Sequence, residues 1–398
     1  MEWKEVTATE YCSKIADGTH DSPKRQSFGK YLITSKHIKG HSIDFDNAYF
    51  ISEDDYQKII KRSKVDKWDV IISMIGEYCG FCYVEDSDFT DYAVKNVGIF
   101  KVGERIKSLW LYYYLTSPDG KAQLKSIRAG SSQPYISLGA LRDLIIPVPS
   151  IEKMKEIVSI LSSLDRKIEL NNKINADLEE MAQAIFKNWF VDFEPFKNGK
   201  FVDSELGMIP EGWKVGSPYE YVKVVYGAPY KSAKFNDNGE GLPLIRIRDL
   251  KDCNPQFYTP EILPQTEYVN KGDIIAGMDA EFVPHIWKGN TGLLNQRVCK
   301  LMPQRTSISN LFVLHLMKPE LEFVQSYKTG TTVSHLGKAD IDKFVVVLPP
   351  LEVVEDCSII LDSILQRIKN ISAQSRTLSL LRDTLLPRLM SGEIEVPE

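Results

Sequence analysis

The feature that most constrains this chain is an internal repeat with an offset of about 200 residues. The segment AGSSQPYISLGALRDLIIPVPSIE at 129–152 aligns without a gap with TGTTVSHLGKADIDKFVVVLPPLE at 329–352. Further upstream, residues 65–71 resemble residues 269–275 after a small shift in offset. A period this long indicates a duplicated unit and not a solenoid, so the sequence predicts two copies of one design.

Each copy contains short apolar segments of both secondary-structure types, which predicts an α+β fold. Short apolar runs that end in proline or follow a tight turn are typical of buried strands. We predict strands at 70–74, 144–148, 273–278 and 344–348, and short buried helices at 109–115 and 311–317. Between these anchors the copies diverge, which suggests one scaffold that carries two different binding surfaces.

A long helix is predicted after each copy. Residues 152–190 contain no proline or glycine, and a continuous helix there would be about 60 Å long. Apolar residues recur at steps of four and three, the spacing of a coiled-coil seam. The predicted interface residues are Ile157, Leu161, Leu164, Ile168, Leu178 and Ile185 in the first helix, and Leu361, Ile364, Ile368, Leu378 and Leu385 in the second.

Pairing the two helices antiparallel would bury both seams and relate the copies by a pseudo-twofold axis. Asn171 and Asn175 would then lie opposite Ser375 and Ile371 near the centre of the pair. Polar residues there either set the register of the pair or face water or another subunit. The predicted segments are a first globular part at 1–150, a helix at 151–195, a linker with the second globular part at 196–350, and a C-terminal helix at 351–398.

Bulk properties limit the class of protein. No apolar run reaches the roughly 18–20 residues that span a bilayer, and the N-terminus is acidic and polar, unlike a secretory signal. The six cysteines are scattered, which favours a reducing cytoplasm over a disulfide framework. A net charge of −5 still allows DNA binding if the cationic residues cluster on one face.

A search for catalytic motifs finds little. There is no phosphate-binding GxxxxGK[ST] loop, and Asn254–Phe257 lacks the second proline of an adenine methyltransferase motif. Cys79 and Cys82 have the CxxC spacing but no second ligand pair follows, so we predict cysteines packed in a strand and no metal site.

What remains is a set of polar, basic and aromatic residues at corresponding loops of the two copies. Cationic and hydroxyl side chains suit phosphates, while Asn, Gln, Arg and His suit base edges. The candidate DNA-binding residues are Thr19, His20, Lys24, Lys36, His37, Tyr78, Arg128, Ser131, Ser132, Gln133 and Tyr135 in the first copy, and Tyr230, Lys231, Arg246, Arg248, Glu281, Lys328, Thr331, Thr332 and His335 in the second.

Taken together, the chain resembles a specificity subunit of a type I restriction-modification enzyme. The resemblance covers essentially the whole chain and rests on the duplication, on the GxxQPxI…PxP pattern at 130–149 before a long helix, on IPEGW at 209–213, and on LMSGEI at 389–394. The second copy departs from the pattern, because Val333 and Ser334 replace Gln133 and Pro134.

The resemblance implies that each globular part is a target recognition domain for one half of a split, asymmetric DNA site. The helices would be an antiparallel spacer that docks two modification subunits, which use S-adenosylmethionine, and restriction subunits would supply ATP- and Mg-dependent translocation and cleavage. On one face of B-DNA the half-sites would lie about one turn apart, roughly 34 Å. The chain itself would carry no cofactor and no catalysis.

Two alternatives compete with this interpretation. The chain could be a DNA methyltransferase or nuclease with degenerate motifs, or a coiled-coil scaffold that never contacts DNA. Methylation by the chain without any partner would favour the first alternative. Salt-dependent DNA binding together with a modification partner would argue against the second, because counterion release makes binding steeply salt-dependent.

Overall fold

The first copy of the repeat folds into short strands and helices in a computed structural model that describes residues 3–328 and 335–394. Its strands are β1 (Lys4–Thr7), β2 (Lys14–Asp17), β3 (Lys30–Thr34), β4 (Tyr49–Ile51), β5 (Asp69–Ser73), β6 (Cys82–Val84), β7 (Tyr92–Lys95), β8 (Val97–Lys101) and β9 (Ile145–Val148). Its helices are α1 (Ala8–Tyr11), α2 (Glu53–Ser63), α3 (Arg105–Thr116), α4 (Pro118–Ser126) and α5 (Leu138–Arg142), and the long helix α6 (Ile151–Phe190) follows.

The second copy follows a short hairpin and has a related but different set of elements. Its strands are β10 (Phe201–Val202), β11 (Ile209–Pro210), β12 (Lys214–Gly216), β13 (Val222–Tyr226), β14 (Leu242–Ile245), β15 (Tyr258–Thr259), β16 (Tyr268–Val269), β17 (Ile274–Gly277), β18 (Pro284–Ile286), β19 (Gly292–Leu294), β20 (Val298–Pro303) and β21 (Val346–Leu348). Its helices are α7 (Asn310–Lys328), α8 (Lys338–Ile341) and the long α9 (Leu351–Met390).

Sheet topology confirms the duplication and the α+β class. The antiparallel sheet β2-β8-β5-β6 of the first copy corresponds to β13-β20-β17-β18 of the second. A second sheet contains β4-β3-β7 in one copy and β15-β14-β19-β16 in the other, and both include one parallel pair, β3 with β7 and β14 with β19. The strand that opens each copy pairs antiparallel with the strand before its long helix, β1 with β9 and β12 with β21.

The similarity extends to individual turns. Before β5, the Asp69 carboxylate accepts a hydrogen bond from the Asp66 amide at 2.6 Å, and before β17 the Asp273 carboxylate accepts one from Asn270 at 2.8 Å. The residue directly before the aspartate has a left-handed backbone in both turns, Trp68 at φ 65° and Gly272 at φ 95°. Glycine adopts that conformation without a steric penalty, whereas tryptophan is held there by the surrounding turn.

The two copies differ where their sequences diverge. After β4 the first copy forms the amphipathic helix α2, whose Tyr56 and Ile59 are buried. The second copy has the strand β16 in that interval and no helix between β15 and β16 in the described chain. The variable part of the scaffold is thus built differently in each copy, as the divergence predicts.

One predicted helix is too short. We expected it to end at 317, before Pro319, but α7 continues through the proline to Lys328. Leu321 and Val324 beyond the proline are buried, so the apolar face that continues past it stabilises the longer helix. The connection predicted at 196–212 is also ordered, because it holds the β10–β11 hairpin.

The long helices contribute to two compact units. One unit comprises Met1–Lys167 with Leu378–Glu398, and the other comprises Ile168–Thr377. In the first unit, the start of α6 shares a core with the end of α9; in the second, the end of α6 shares a core with the start of α9. Six of the predicted seam residues are buried: Ile157, Leu161, Leu178, Leu361, Ile364 and Ile368. The other five are half-buried: Leu164, Ile168, Ile185, Leu378 and Leu385.

The central asparagines face the partner helix. Asn171 donates a hydrogen bond to Gln374 at 2.9 Å, and Asn175 donates one to Ser372 at 3.1 Å. Both asparagines are buried, so a water-facing position is wrong. Their contacts across the pair support a register-setting role, which stays a prediction. The partners lie one residue from the predicted Ser375 and Ile371, and the order of the two contacts makes this part of the pair antiparallel.

The same seams also pack against the globular parts, which the prediction of a self-contained helix pair overlooked. Ile157 and Leu161 belong to one core with Trp110, and Leu361 and Ile368 belong to another with Phe312. Among residues 3–328 and 335–394, no helix combines the length and apolar character needed to cross a lipid bilayer.

Candidate nucleic-acid interface

The candidate loops of the first copy converge at one end of its sheets. Around Asn96, the backbone amide donates to Thr19 O at 3.2 Å, and its carbonyl accepts from Met74 N at 3.1 Å and from the Ser35 hydroxyl at 2.6 Å. These bonds join turns that follow β2, β3, β5 and β7 into one platform. We call this platform, with the loop that leads to α5, the first loop edge; it comprises residues 18–20, 35–39, 74–81, 95–97 and 128–136.

A chain of polar contacts orients side chains on the first loop edge. Arg62 contacts Asp17 at 2.5 Å, Asp17 contacts His20 Nε2 at 2.9 Å, and His20 Nδ1 lies 3.0 Å from Asn96 Oδ1. Burial alone would raise the pKa of Asp17, but the hydrogen bonds from His20 and Arg62 outweigh it and hold that pKa below its ordinary value. Asp17 therefore stays ionised and fixes the imidazole of His20, which in turn fixes the Asn96 amide.

The loop at 128–136 presents polar side chains to solvent. Two hydrogen bonds tie it to the turn that follows β5. Gly76 N donates to Pro134 O at 2.8 Å, and the Arg128 guanidinium donates to Cys79 O at 2.5 Å. This anchoring leaves Tyr135 46% exposed. The predicted contacts Ser131, Ser132 and Gln133 are exposed as well.

Cationic groups surround these loops. Lys24 and Lys36 are exposed, and Lys39 lies 4.1 Å from the centroid of the Tyr78 ring, a cation–π distance. Lys95 Nζ contacts Ser22 Oγ at 2.6 Å. Flexible ammonium groups at the rim of a polar platform are suited to phosphate contacts.

The second copy forms an equivalent platform. Ala228 N donates to Leu294 O at 2.9 Å and Gln296 N donates to Ala228 O at 3.0 Å, while Met278 N donates to Arg297 O at 2.9 Å. These bonds reproduce those around Thr19, Asn96 and Met74. We call residues 227–231, 246–253, 278–283, 295–297 and 335 the second loop edge.

Arginine and lysine side chains line the second loop edge. Arg248 and Lys231 are exposed, and the guanidinium of Arg246 lies 5.2 Å from the centroid of the Phe257 ring. Lys328 contacts Asp340 at 2.7 Å and the carbonyl of His335 at 2.8 Å, which ties the end of α7 to the loop before α8.

Carboxylates on the second loop edge hold basic groups in place. Asp279 contacts His335 Nδ1 at 2.7 Å and Arg297 Nη1 at 3.3 Å. Glu281 lies 3.6 Å from His285 Nε2 and 4.0 Å from Lys251 Nζ, so its carboxylate is engaged with neighbouring groups.

Two of the predicted contacts have buried side chains. His37 is buried, and its Nδ1 accepts a hydrogen bond from the Thr34 amide at 3.0 Å, which caps the turn after β3. In the second copy, the Asp249 carboxylate caps the corresponding turn by accepting a hydrogen bond from Arg246 N at 2.9 Å. Tyr230 is buried and donates its hydroxyl to Thr266 at 3.0 Å. The predicted contacts Thr331 and Thr332 lie outside the described residues.

The turn between the last two strands of each platform was missed from sequence. Lys95 and Asn96 join β7 to β8, and Asn295, Gln296 and Arg297 join β19 to β20. A signal was present, because both copies place polar residues between two apolar runs at the same offset of about 200 residues. We overlooked it because such short polar breaks are ordinary in any hairpin.

The CxxC pair is structural. Cys79 and Cys82 are buried, and burial raises the pKa of both thiols. Cys79 lies in the turn before β6 and not in a strand as predicted, while Cys82 opens β6. Within the described chain no group of three or more His, Cys, Asp or Glu residues could hold a metal ion.

In the first unit a polar network anchors the globular part to the helices. Asp165 of α6 accepts hydrogen bonds from Tyr113 at 2.7 Å and from Arg382 of α9 at 2.8 Å. Arg382 also contacts His41, whose other ring nitrogen lies 2.7 Å from the Tyr112 hydroxyl. We call these five residues the anchor network.

The second unit has a cavity at the corresponding place. Ser108 donates to Trp68 O at 2.5 Å and Asn310 donates to Gly272 O at 2.9 Å, so α3 and α7 align with Leu314 in the place of Tyr112 and His315 in the place of Tyr113. On the long helices, the repeat offset puts Leu365 at the position of Asp165 and Ala182 at that of Arg382.

Leu314, His315 and Cys253 line this cavity of about 250 Å³. Burial lowers the pKa of His315 to about 4, which keeps its imidazole neutral near pH 7. We call this space the anchor cavity.

Comparison with known proteins gives consistent matches. A family model for the type I restriction modification DNA specificity domain matches residues 2–180 and 210–378. The MjaIX type I restriction enzyme specificity subunit of Methanocaldococcus jannaschii is 29% identical over 320 residues, which cover 74% of this chain and 70% of that protein. The HindI specificity subunit of Haemophilus influenzae is 23% identical over 406 residues, covering 84% and 88%.

A solved structure has the same fold. The crystal structure of a type I restriction-modification system S subunit from M. genitalium matches with a TM-score of 0.54 at 14% identity. The match covers 98% of this chain and 96% of that one, so the likeness in fold includes both copies and both long helices.

Proposed function

The chain belongs to the type I restriction-modification DNA specificity family, and on that premise we propose that each copy reads one half of a bipartite, asymmetric DNA site. As a specificity subunit, it is the DNA-recognition component of such a system and not a catalytic one. Its partners are DNA and other restriction-modification subunits.

The observation that carries the proposal is the pair of loop edges. Both lie at the same end of corresponding sheets, and both present exposed cationic and amide side chains on a hydrogen-bonded backbone platform. Arg248 and Lys231 of the second loop edge and Lys36 of the first suit phosphates, as does the exposed Lys24 of the first copy. Gln133 is suited to a base edge. The net charge of −5 does not exclude this, because cationic side chains are present at these loops whatever the charge of the remaining surface.

We assign target recognition domains to 1–150 and 196–350, with spacer segments at 151–195 and 351–398. The spacer helices would set the distance between half-sites and dock two modification subunits that bind S-adenosylmethionine and methylate adenine. Restriction subunits would add ATP- and Mg-dependent translocation and cleavage. A cytoplasmic location, where these partners would meet chromosomal and foreign DNA, stays a prediction.

The direct test is to sequence methylated adenines in cells that express the modification subunits with and without this chain. We expect a split motif, methylated once in each half, that appears only when the chain is present. The same set of methylated sites in both strains would contradict the proposal, as would methylation by the purified chain alone with labelled S-adenosylmethionine.

A second test addresses the spacer. Inserting one heptad into each long helix should lengthen the unspecified gap between the half-sites without changing the bases of either half. The insertion belongs near Asn171 and in the equivalent part of α9, where the helices contact each other. An unchanged gap in an assembled, active complex would refute the spacer role.

A further inference from the structure

The turn that sequence reasoning missed occupies the centre of each loop edge. In the first copy, Asn96 is bonded through its backbone to Thr19, Ser35 and Met74, which belong to three different loops. In the second copy, Arg297 holds the corresponding bond to Met278. Residues at the centre of an interface are the ones from which water is most fully excluded and where selectivity is concentrated.

Each turn has one polar side chain that is held by a neighbouring group, a histidine in the first copy and a carboxylate in the second. In the first copy the chain of contacts runs from Asp17 to His20 and then to Asn96, at 2.9 and 3.0 Å. In the second copy Asp279 contacts both His335, at 2.7 Å, and Arg297, at 3.3 Å.

The supporting residues come from different loops in the two copies. Asp17 and His20 flank the end of β2, whereas Asp279 follows β17 and His335 precedes α8. The two supports are thus not inherited from one ancestral set of residues, although they serve the same turn. Groups that are held by such supporting contacts are pre-organised for binding.

The two held side chains differ in the base they suit. An asparagine amide can donate to N7 and accept from N6 of adenine in a bidentate pair when its nitrogen faces N7 and its oxygen faces N6. An arginine guanidinium donates to both O6 and N7 of guanine, the commonest specific contact in the major groove. The left-handed backbone of Asn96, at φ 55°, projects the amide from a tight turn that asparagine, aspartate and glycine tolerate.

Resting on the proposed function, we infer that the turns at 95–97 and 295–297 are base-reading segments. Asn96 contacts an adenine in the half-site of the first copy, and Arg297 contacts a guanine in the half-site of the second. His20 is a positioning residue that orients Asn96, and Asp279, which His335 also contacts, is the positioning residue that orients Arg297.

The test uses the complete modification complex with Asn96→Gly or Arg297→Gln in this chain. Two readouts apply: sequencing of methylated adenines in cells, and competition binding with duplexes that each carry one altered base pair. Asn96→Gly keeps the left-handed backbone and removes the amide. It should reduce discrimination about tenfold to hundredfold at one A·T pair of the first half-site. Arg297→Gln should do so at one G·C pair of the second half-site.

Controls separate base reading from general binding. Lys36→Ala removes a candidate phosphate contact on the same edge, so it should weaken binding to all duplexes alike and leave the motif unchanged. Asn96→Asp keeps the side-chain volume and the backbone of the turn but removes the amide donor. It replaces Asn96→Gly in the test if the glycine variant does not assemble. His20→Gln should weaken discrimination at the Asn96 position and at no other.

Three results would overturn the inference while leaving the proposed function intact. They are unchanged base preference in both variants, altered preference spread over both half-sites, and an affected position that is not A·T for Asn96 or not G·C for Arg297. If the wild-type chain directs no methylation at all, the proposed function itself fails, so the two failures are distinguishable.

Discussion

Tyr113 and His315 occupy equivalent positions in the two copies, but their surroundings differ. Tyr113 donates to Asp165, which also binds Arg382, so the first unit joins its globular part to both long helices by hydrogen bonds and an ion pair. His315 faces the anchor cavity, in a seam where Leu365 and Ala182 replace the ion pair.

The difference shows that one duplicated scaffold can solve the same packing problem in two ways. An ion pair removed from water gains little free energy over an apolar pair, but breaking it is costly because a charge is left without its partner. An apolar seam gains free energy from burial but tolerates imperfect packing. The cavity of about 250 Å³ beside this seam is lined by Leu314 and also by charged and polar side chains, among them Glu179, His285 and Lys288. We therefore expect the anchor network to fix geometry and the apolar seam to be improvable.

The largest expected effect comes from introducing into the second unit a carboxylate like that of Asp165 in the first unit. Leu365→Asp would bury a carboxylate opposite Ala182, without a cation, and should lower the free energy of unfolding by more than about 3 kcal/mol. Urea unfolding of the purified chain measures it. Adding Ala182→Arg should recover part of the lost stability. If Leu365→Asp alone lowers the free energy of unfolding by less than about 1 kcal/mol, water reaches the seam and the account is contradicted.

Acid should destabilise the second unit through His315. Its pKa is lowered to about 4 in the folded chain from an ordinary value of 6.5, so between these pH values the unfolded chain binds a proton that the folded chain does not. Stability contributed by His315 is therefore lost as pH falls from about 6.5 to about 4, by up to about 3 kcal/mol.

Thermal unfolding across this pH range, compared with His315→Gln, checks the prediction. The variant should show a flatter pH dependence than the wild-type chain. Parallel curves for the two proteins would mean that His315 does not titrate as its burial implies.

The anchor network should show coupling between its charged members. Asp165→Leu and Arg382→Ala should each cost about 2 kcal/mol, because each removes the ion-pair partner of a charged group that is largely removed from water. The double variant, which resembles the second unit, should cost at least about 1 kcal/mol less than the sum. Asp383→Ala, at an exposed neighbour of Arg382, is the control and should change stability by less than about 0.5 kcal/mol. Additive losses would mean that the network is not cooperative.

The smallest effect is a gain. Leu314→Phe should extend into the anchor cavity and stabilise the chain by about 0.5–2 kcal/mol. The matched control is Leu111→Phe, at a fully buried position of the first copy, where overpacking should cost about 1–3 kcal/mol. If both substitutions destabilise equally, the space beside Leu314 is not available to a larger ring.

Much of the fold was predictable from the sequence because the repeat supplies its own alignment. Matching Val65–Ile71 to Val269–Ile275 located a turn whose hydrogen bonds recur in both copies. The long helices followed from apolar spacing and, in α6, from the absence of proline; α9 contains Pro387 in its last turn. The full length of α7 was not predictable, because tertiary burial of Leu321 and Val324 outweighs the local cost of Pro319.

The candidate site was harder to predict because exposure is a tertiary property. His37 and Tyr230 have side chains suited to DNA, but a capping bond and a buried hydroxyl contact withdraw them from the surface. Conversely, Asn96 and Arg297 lie at the centre of their loop edges because they are bonded to loops that are distant in sequence. Neither the central position of a turn nor the contacts that hold its side chain can be inferred from residue type.

The central claim, that each copy reads its own half-site, is tested most directly by a domain exchange. Residues 1–150 would be replaced by the corresponding segment of a related specificity subunit with a different methylated motif, and methylated adenines would be sequenced in cells. We predict that one half of the motif changes to that of the donor while the other half and the gap stay the same. A motif that does not change, or that changes in both halves, would contradict the account.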